Sequence, residues 1–381
     1  MPRFVRPLLL TIVFCVVAGA TLAGIYRAGN IVHPALPPLG IWSVIHMGYE
    51  LAKVEADAAD EQVATVLLIG DSTVMAYPEG QTLFDHLAVE IEDEALPVPD
   101  VRVYSVAAQG MTPGNFYLAL DNIVRAKPDL VTIALNLGVI RTHMPVVLRR
   151  PELVGWMSAK RIPRALTCLP LQHYGVTADQ LLFHQLLVRT NGAEQWFIQR
   201  REQARVGHLR EFAEDYVAQA TGWRVEPTAR LLRRNKIMRD QTLPEQRKRF
   251  TKRRADEFFG VSMRGIDEDH FTMRVLEALL EELQAAGISI VMYVVPTNID
   301  HLRQVGIYSE AGLNTTLARF DAVAKRYGAD FFDAHDLLPD AAFRDPFGHL
   351  YYEPPINGPK RLAASLAPEV ARVLRRRWSE R

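Results

Sequence analysis

Cysteine is almost missing from this chain of 381 residues: Cys15 lies in an apolar run near the start and Cys168 in the body. Two thiols so placed are not expected to pair, which excludes a disulfide framework, and Cys168 reads as an isolated buried thiol rather than a nucleophile. An excess of either charge is missing too. The 44 Lys and Arg balance 44 Asp and Glu, so no global field attracts nucleic acid. The sequence shows no internal repeat and no long low-complexity tract. It also lacks a glycine-rich phosphate loop with its lysine, which leaves a phosphate-handling enzyme as the weakest reading. His335, in Asp333-Ala334-His335-Asp336, crowds a loop with ionisable groups but finds no third or fourth metal ligand at a useful spacing. Capping is its expected role, and neither a metal nor a cofactor is expected.

One long apolar run is present, from Leu8 to Ile25, preceded by Arg3 and Arg6. At ~1.5 Å rise per residue it is about long enough to cross a hydrocarbon layer, and the basic flank favours a cytoplasmic N-terminus. Residues 1–30 are therefore expected to be a signal-anchor, with cleavage near Ala18-Gly19-Ala20 as the rival reading. The expectation is a single pass through the cytoplasmic membrane, the body lying in the periplasm or extracellular space.

Beyond it, about 350 residues allow one large core or two modest ones. Residues 31–60, with Pro34, Pro37, Pro38, Gly40 and Gly48 before an acidic stretch, read as a juxtamembrane connector ending in a short helix. Residues 61–381 read as an α/β domain. Strands are expected at Thr65–Ile69, Val101–Val106, Leu130–Leu135, Ile288–Val295 and 328–333. Helices are expected between them at 82–92, 116–125, 274–286 and 315–327, with a last one at 358–375. Alternation of this kind predicts a parallel sheet with helices on both faces, a three-layer sandwich. Residues 142–270 interrupt it as a mainly helical insertion. Within that insertion, residues 230–254 hold eleven Lys and Arg against Asp240 and Glu245. A solvated helical face is the first reading of that segment; contact with anionic lipid headgroups or a polyanionic substrate is the second.

The most informative stretch is Val66-Leu67-Leu68-Ile69-Gly70-Asp71-Ser72-Thr73, a buried strand that ends in a glycine turn and presents a serine. A serine at the start of the next helix has its hydroxyl lifted to the carboxyl edge of the sheet, where its own N–H is an oxyanion donor. Serine needs a base, and His349, in Asp345-Pro346-Phe347-Gly348-His349, is the candidate. Asp71 is expected to hold the nucleophile turn through backbone N–H groups. Arg141 and His143 follow the third strand and Asn298 follows the fourth. Arg141 reads either as an anion binder or as half of a surface salt bridge, and Asn298 as a cleft residue or a turn cap.

On these residues the chain resembles the SGNH hydrolases, the GDSL-like lipases and esterases, as a divergent, membrane-anchored bacterial member. The resemblance covers most of the α/β body but not residues 1–30 or 142–270. It implies that Ser72, within Gly-Asp-Ser-Thr, attacks an ester carbonyl and that Gly110, in Ala107-Ala108-Gln109-Gly110, is an oxyanion donor. It also implies that Asp345 and His349 complete the triad. Two places depart from the family pattern. Where the family has Gly-x-Asn-Asp after its third strand, this chain has Asn136-Leu137-Gly138-Val139, so the third donor is either the Asn136 side chain or the Gly138 backbone. The usual Asp-x-x-His has become Asp345-x-x-x-His349, which leaves Asp333 and Asp336 as fallback partners of the imidazole.

The resemblance implies a serine esterase or O-acyltransferase acting on an acylated cell-envelope glycan or lipid, bound to the membrane through its N-terminal helix. A membrane acyltransferase is a further expected partner, and nucleic acid is not. The alternative is a noncatalytic envelope protein of the same fold that binds glycan or a partner protein.

Overall fold

The computed structural model describes residues 39–140 except 76, 78, 79, 95, 98, 99 and 109, then 153, 156–169, 178 and 182, and finally 250–379. The expected anchor at Leu8–Ile25 lies outside these residues, as do Arg141, His143 and most of the basic stretch at 230–254. Among the described residues no helix is long and apolar enough to cross a membrane. The expectation of an α/β protein with a spanning helix is corrected accordingly to an α/β fold with a parallel five-stranded sheet. The membrane location and the membrane partners drawn from that helix have no spanning helix among the described residues behind them.

The sheet comprises β1 (Val63–Gly70), β2 (Asp100–Ala107), β3 (Leu130–Leu135), β4 (Ser289–Val294) and β5 (Asp330–Asp333). It is parallel throughout in the order β2-β1-β3-β4-β5. β1 is buried along its whole length and is apolar but for Thr65, whose N–H and hydroxyl donate to Asp129. Its alternate residues feed two cores: Leu67 and Ile69 face one, Ala64, Val66 and Leu68 the other. A strand covered on both faces cannot afford polar alternation.

The helices of the body are α1 (Leu39–Asp57), α2 (Ser72–Met75), α3 (Leu83–Glu92), α4 (Pro113–Ala126), α5 (Ile162–Cys168), α6 (Lys252–Arg264), α7 (Phe271–Ala285), α8 (Ile299–Gln304), α9 (Glu310–Arg326) and α10 (Gly358–Ser379). Helices α3 and α10 cover one face of the sheet, where Leu83, Leu87 and Ile91 meet Leu362, Leu366 and Val370. Helices α1, α4, α7 and α9 supply the other core, through Met47, Phe116, Leu276 and Phe320 among others.

Two regions differ from the expectation. Residues 39–57, read as part of a connector, form a helix whose Met47, Leu51 and Val54 are fully or almost fully buried. Their spacing of four and three puts them on one stripe, which packs on β1, β2 and α4. The described parts of the insertion are helical, and α6 is built into the body rather than hung from it. Ser262 Oγ donates to the Leu137 carbonyl at 3.0 Å, and Thr316 Oγ1 on α9 donates to the Ser262 carbonyl at 2.8 Å. A Cβ at Gly312 would sit 1.9 Å from the Met263 carbonyl oxygen, so only glycine allows α9 to approach α6 this closely.

Candidate active site

Each strand delivers its following loop to one edge, and the register fixes which residues meet there. Gly70 pairs with Ala107 of β2, and Ile69 with Ile133 of β3, so the turns at 71–73, 108–112 and 136–139 are neighbours. Leu135 pairs with Val294 and Val294 with Asp333, which adds the loops after β4 and β5. Gly70 is required for closeness rather than for an unusual backbone: a Cβ there would lie 2.7 Å from Val74 and 3.1 Å from Ala134. The chain can thus turn from β1 into α2 against the neighbouring strand.

At that turn Asp71 is buried and organises the backbone. Its Oδ1 accepts the Thr73 N–H at 2.9 Å and the Thr73 hydroxyl at 2.5 Å, and its Oδ2 accepts from Asn136 Nδ2 at 2.8 Å. Ser72 then occupies the first position of α2, where a helix has no internal acceptor for its N–H.

His349 arrives from 277 residues further along the chain with its Nε2 at 2.9 Å from Ser72 Oγ. Its Nδ1 lies 2.6 Å from Asp345 Oδ2. A carboxylate only accepts, so Nδ1 carries the proton and Nε2 of the neutral ring accepts from the serine hydroxyl. The extra residue between Asp345 and His349 is absorbed by a turn closed on the aspartate. Asp345 Oδ1 accepts the Phe347 N–H at 2.9 Å and the His349 N–H at 3.3 Å, and Gly348 takes φ 98°. Asp333, one fallback partner, instead holds His335 through Nδ1 at 2.8 Å and its N–H at 3.1 Å. Among the described residues no group of three His, Cys, Asp or Glu can hold a metal.

Burial would push the His349 imidazole below its ordinary value, but the charge and hydrogen bond of Asp345, with Asp71 adding to them, hold it above. Asp345 is its mirror: burial pushes the carboxyl up, and His349 with the Phe347 N–H brings it below the usual carboxylate range.

Of the oxyanion candidates, the structure separates Asn136 from Gly138. Asn136 Oδ1 accepts the Gly138 N–H at 2.8 Å while its Nδ2 donates to Asp71, which fixes the amide orientation chemically. An amide nitrogen carries two hydrogens, so one donor remains on Asn136 beside the nucleophile turn. The Gly138 N–H is already used, which removes the expected backbone donor. Gly138 is small for another reason: a Cβ would lie 2.8 Å from Phe259 Cζ of α6. Gly110 adopts φ 69° in the turn closed by Met111 N–H to Ala108, and a Cβ there would meet nothing within 4 Å. Asn298 caps α8 by accepting the His301 N–H at 3.0 Å, the second of its two readings.

Two features were not read from the sequence. Tyr77 donates its hydroxyl hydrogen to the Thr73 carbonyl at 3.0 Å and accepts the Leu350 N–H at 3.1 Å, so one phenol ties the nucleophile turn to the residue after His349. Burial holds that phenol well above its ordinary value, so it stays neutral and keeps its hydrogen. The second is an aromatic wall beside the histidine loop: Phe250 and Phe258 meet Phe347 edge-on, with ring centroids 4.9 and 4.8 Å away. The only signal for it in the sequence is the clustering of aromatics around residue 250, in a region read as a polar insertion.

Compared with known proteins, the chain matches no protein-family model and shows no significant match to a curated protein. The resemblance to SGNH hydrolases therefore rests on the residues and geometry above.

Proposed function

We propose that this protein is a serine-dependent ester hydrolase or O-acyltransferase. The observation that carries the reading is the relay from Ser72 Oγ through His349 to Asp345, with contacts of 2.9 and 2.6 Å, the first between residues 277 apart in sequence. A structural role explains a hydrogen-bonded histidine and aspartate. It does not explain a serine at the lip of the sheet aimed at the same ring.

The chemistry follows from the geometry. Ser72 Oγ attacks the ester carbonyl carbon as its proton passes to His349 Nε2, and the carbonyl π electrons move onto oxygen. The Ser72 N–H, the remaining Asn136 Nδ2–H and the Gly110 N–H are the candidate donors to that oxyanion. Asp345 stabilises the imidazolium without taking its proton. Collapse of the intermediate breaks the bond to the alkoxy oxygen, which receives the proton from His349 and leaves as an alcohol. Water, or the hydroxyl of a second alcohol, then gives its proton to His349 and attacks the acyl carbon; the bond to Ser72 Oγ breaks and His349 returns the proton to that oxygen. The first route yields a carboxylic acid and the second a new ester, and both regenerate Ser72.

The test is labelling of the purified protein with a fluorophosphonate, which needs no knowledge of the natural ester. Covalent labelling is expected in the native protein and none in Ser72→Ala. Equal labelling of both, or none of the native protein together with no hydrolysis of short aryl esters, would overturn the reading.

A further inference from the structure

We propose that the ester taken by this site carries a negative charge on its alcohol portion, held by Arg254 and Arg344; this rests on the serine-esterase reading above. His349 returns its proton to the leaving oxygen, so the alcohol portion must lie against the loop that carries His349. Two arginines flank that loop in the chain or in space. Arg344 immediately precedes Asp345, is half-buried, and donates its backbone N–H to the His349 carbonyl at 2.8 Å. Arg254 stands over the ring of Phe347, its guanidinium carbon 5.6 Å from the centroid. Phe347 is two residues from His349, a span of at most about 7 Å between α-carbons.

Arg254 is solvent-exposed. It lies in the first turn of α6, where a cation opposes the helix dipole. Among the described residues, neither it nor Arg344 has a carboxylate within ion-pairing distance. Arg102, Arg161, Arg264 and Arg326 each do. Phe250 and Phe258, packed on the edges of Phe347, hold in place the ring on which Arg254 rests. Cation–π stacking leaves the guanidinium N–H groups free to bind an oxyanion group from the side. A planar carboxylate is the simplest group that fits such a fork.

The ordinary alternative is that Arg344 merely offsets the charges of Asp71 and Asp345. That role would alter the pH profile for every ester equally and would leave discrimination untouched.

The experiment compares hydrolysis of 4-acetoxybenzoate with that of 4-acetoxybenzamide, which share an acetyl group and differ in charge on the leaving phenol. The native protein is expected to favour the benzoate in kcat/KM by roughly tenfold or more, the ordinary size of one charge-assisted contact. Arg254→Gln and Arg344→Gln are each expected to lose most of that ratio while still hydrolysing the benzamide. Arg254→Glu should invert it, a result that misfolding cannot produce. Rising salt should erode the native preference. Ser72-dependent hydrolysis of both esters without preference, or a preference unchanged in all three variants, would overturn the charge proposal and leave the esterase reading intact. Absence of hydrolysis and of fluorophosphonate labelling would overturn both.

Discussion

Asp345→Asn is the most exacting perturbation of the relay, because it changes one oxygen to nitrogen and leaves the turn nearly undisturbed. The asparagine Oδ1 can still accept the Phe347 and His349 N–H groups that Asp345 Oδ1 accepts at 2.9 and 3.3 Å. The amide nitrogen then faces His349 Nδ1 across the former 2.6 Å contact. Both atoms cannot donate, so the imidazole must give up its Nδ1 hydrogen and carry it on Nε2, where it points at Ser72 and can no longer accept the hydroxyl proton. In the serine-protease template the equivalent change costs about 10⁴ in turnover, or about 5.5 kcal/mol of barrier. A loss of that order in kcat/KM is expected here. The pH dependence should move as well. In the native protein His349 is held above its ordinary value, so activity rises with pH through a midpoint above that value, as the ring becomes neutral. Without the carboxylate, burial and the Arg344 charge lower the ring against Asp71 alone, so the residual activity should rise at lower pH. Stability follows the same pair with opposite signs. The raised His349 stabilises the fold fully below its unfolded value near 6.5, a contribution lost as pH rises through the folded value. The lowered Asp345 contributes above its unfolded value near 3.8, and this is lost as pH falls through the folded one. The assay is aryl-ester hydrolysis and fluorophosphonate labelling across the neutral range, with thermal melts beside them. A variant that hydrolyses and labels as fast as the native protein would refute the reasoning.

Asn136→Ala removes both the remaining oxyanion donor and the contact to Asp71, and kcat is expected to fall about 10²- to 10³-fold in steady-state hydrolysis. Gly138→Ala, by contrast, forces a methyl against Phe259; melting should shift by the equivalent of about 1–3 kcal/mol, with kcat for the folded fraction much less affected than in Asn136→Ala. Tyr77→Phe deletes the hydroxyl shared by Thr73 and Leu350. It should lower kcat with little change in KM, and a kcat that stays unchanged would show that the two loops hold each other without the phenol.

How far the sequence could be read depended on how local the information was. Leu130–Leu135 was legible to the residue because five apolar positions around Thr132, with a β-branched centre, fit an interior strand covered on both faces. Ser72 and His349 were legible because the chemistry restricts which residues can serve. The Asp345 partnership was not settled by spacing, since the turn that brings Oδ2 to Nδ1 depends on Gly348 and on two backbone donors no pattern announces. Asn136 was ambiguous for the same reason: whether its amide or the Gly138 backbone is available is decided by Asp71, 65 residues earlier. The short helix expected at the end of residues 31–60 is present but runs over Leu39–Asp57, and its docking was not legible, because the stripe Met47, Leu51 and Val54 only makes sense against a sheet not yet seen. The membrane reading came from a run the described residues do not include, and no helix among them replaces it.

The clasp between Thr73 and Leu350 also orders events on the ribosome. A nascent polypeptide emerges with its nucleophile long before its base, and domains consolidate from the leading end onward. An intermediate synthesised only through β4 therefore carries Ser72 as an ordinary hydroxyl, unable to acylate itself on whatever esters surround it. Under the proposed mechanism, reactivity waits until the loop bearing His349 closes over the phenol, and products terminated early are expected to be inert rather than promiscuous.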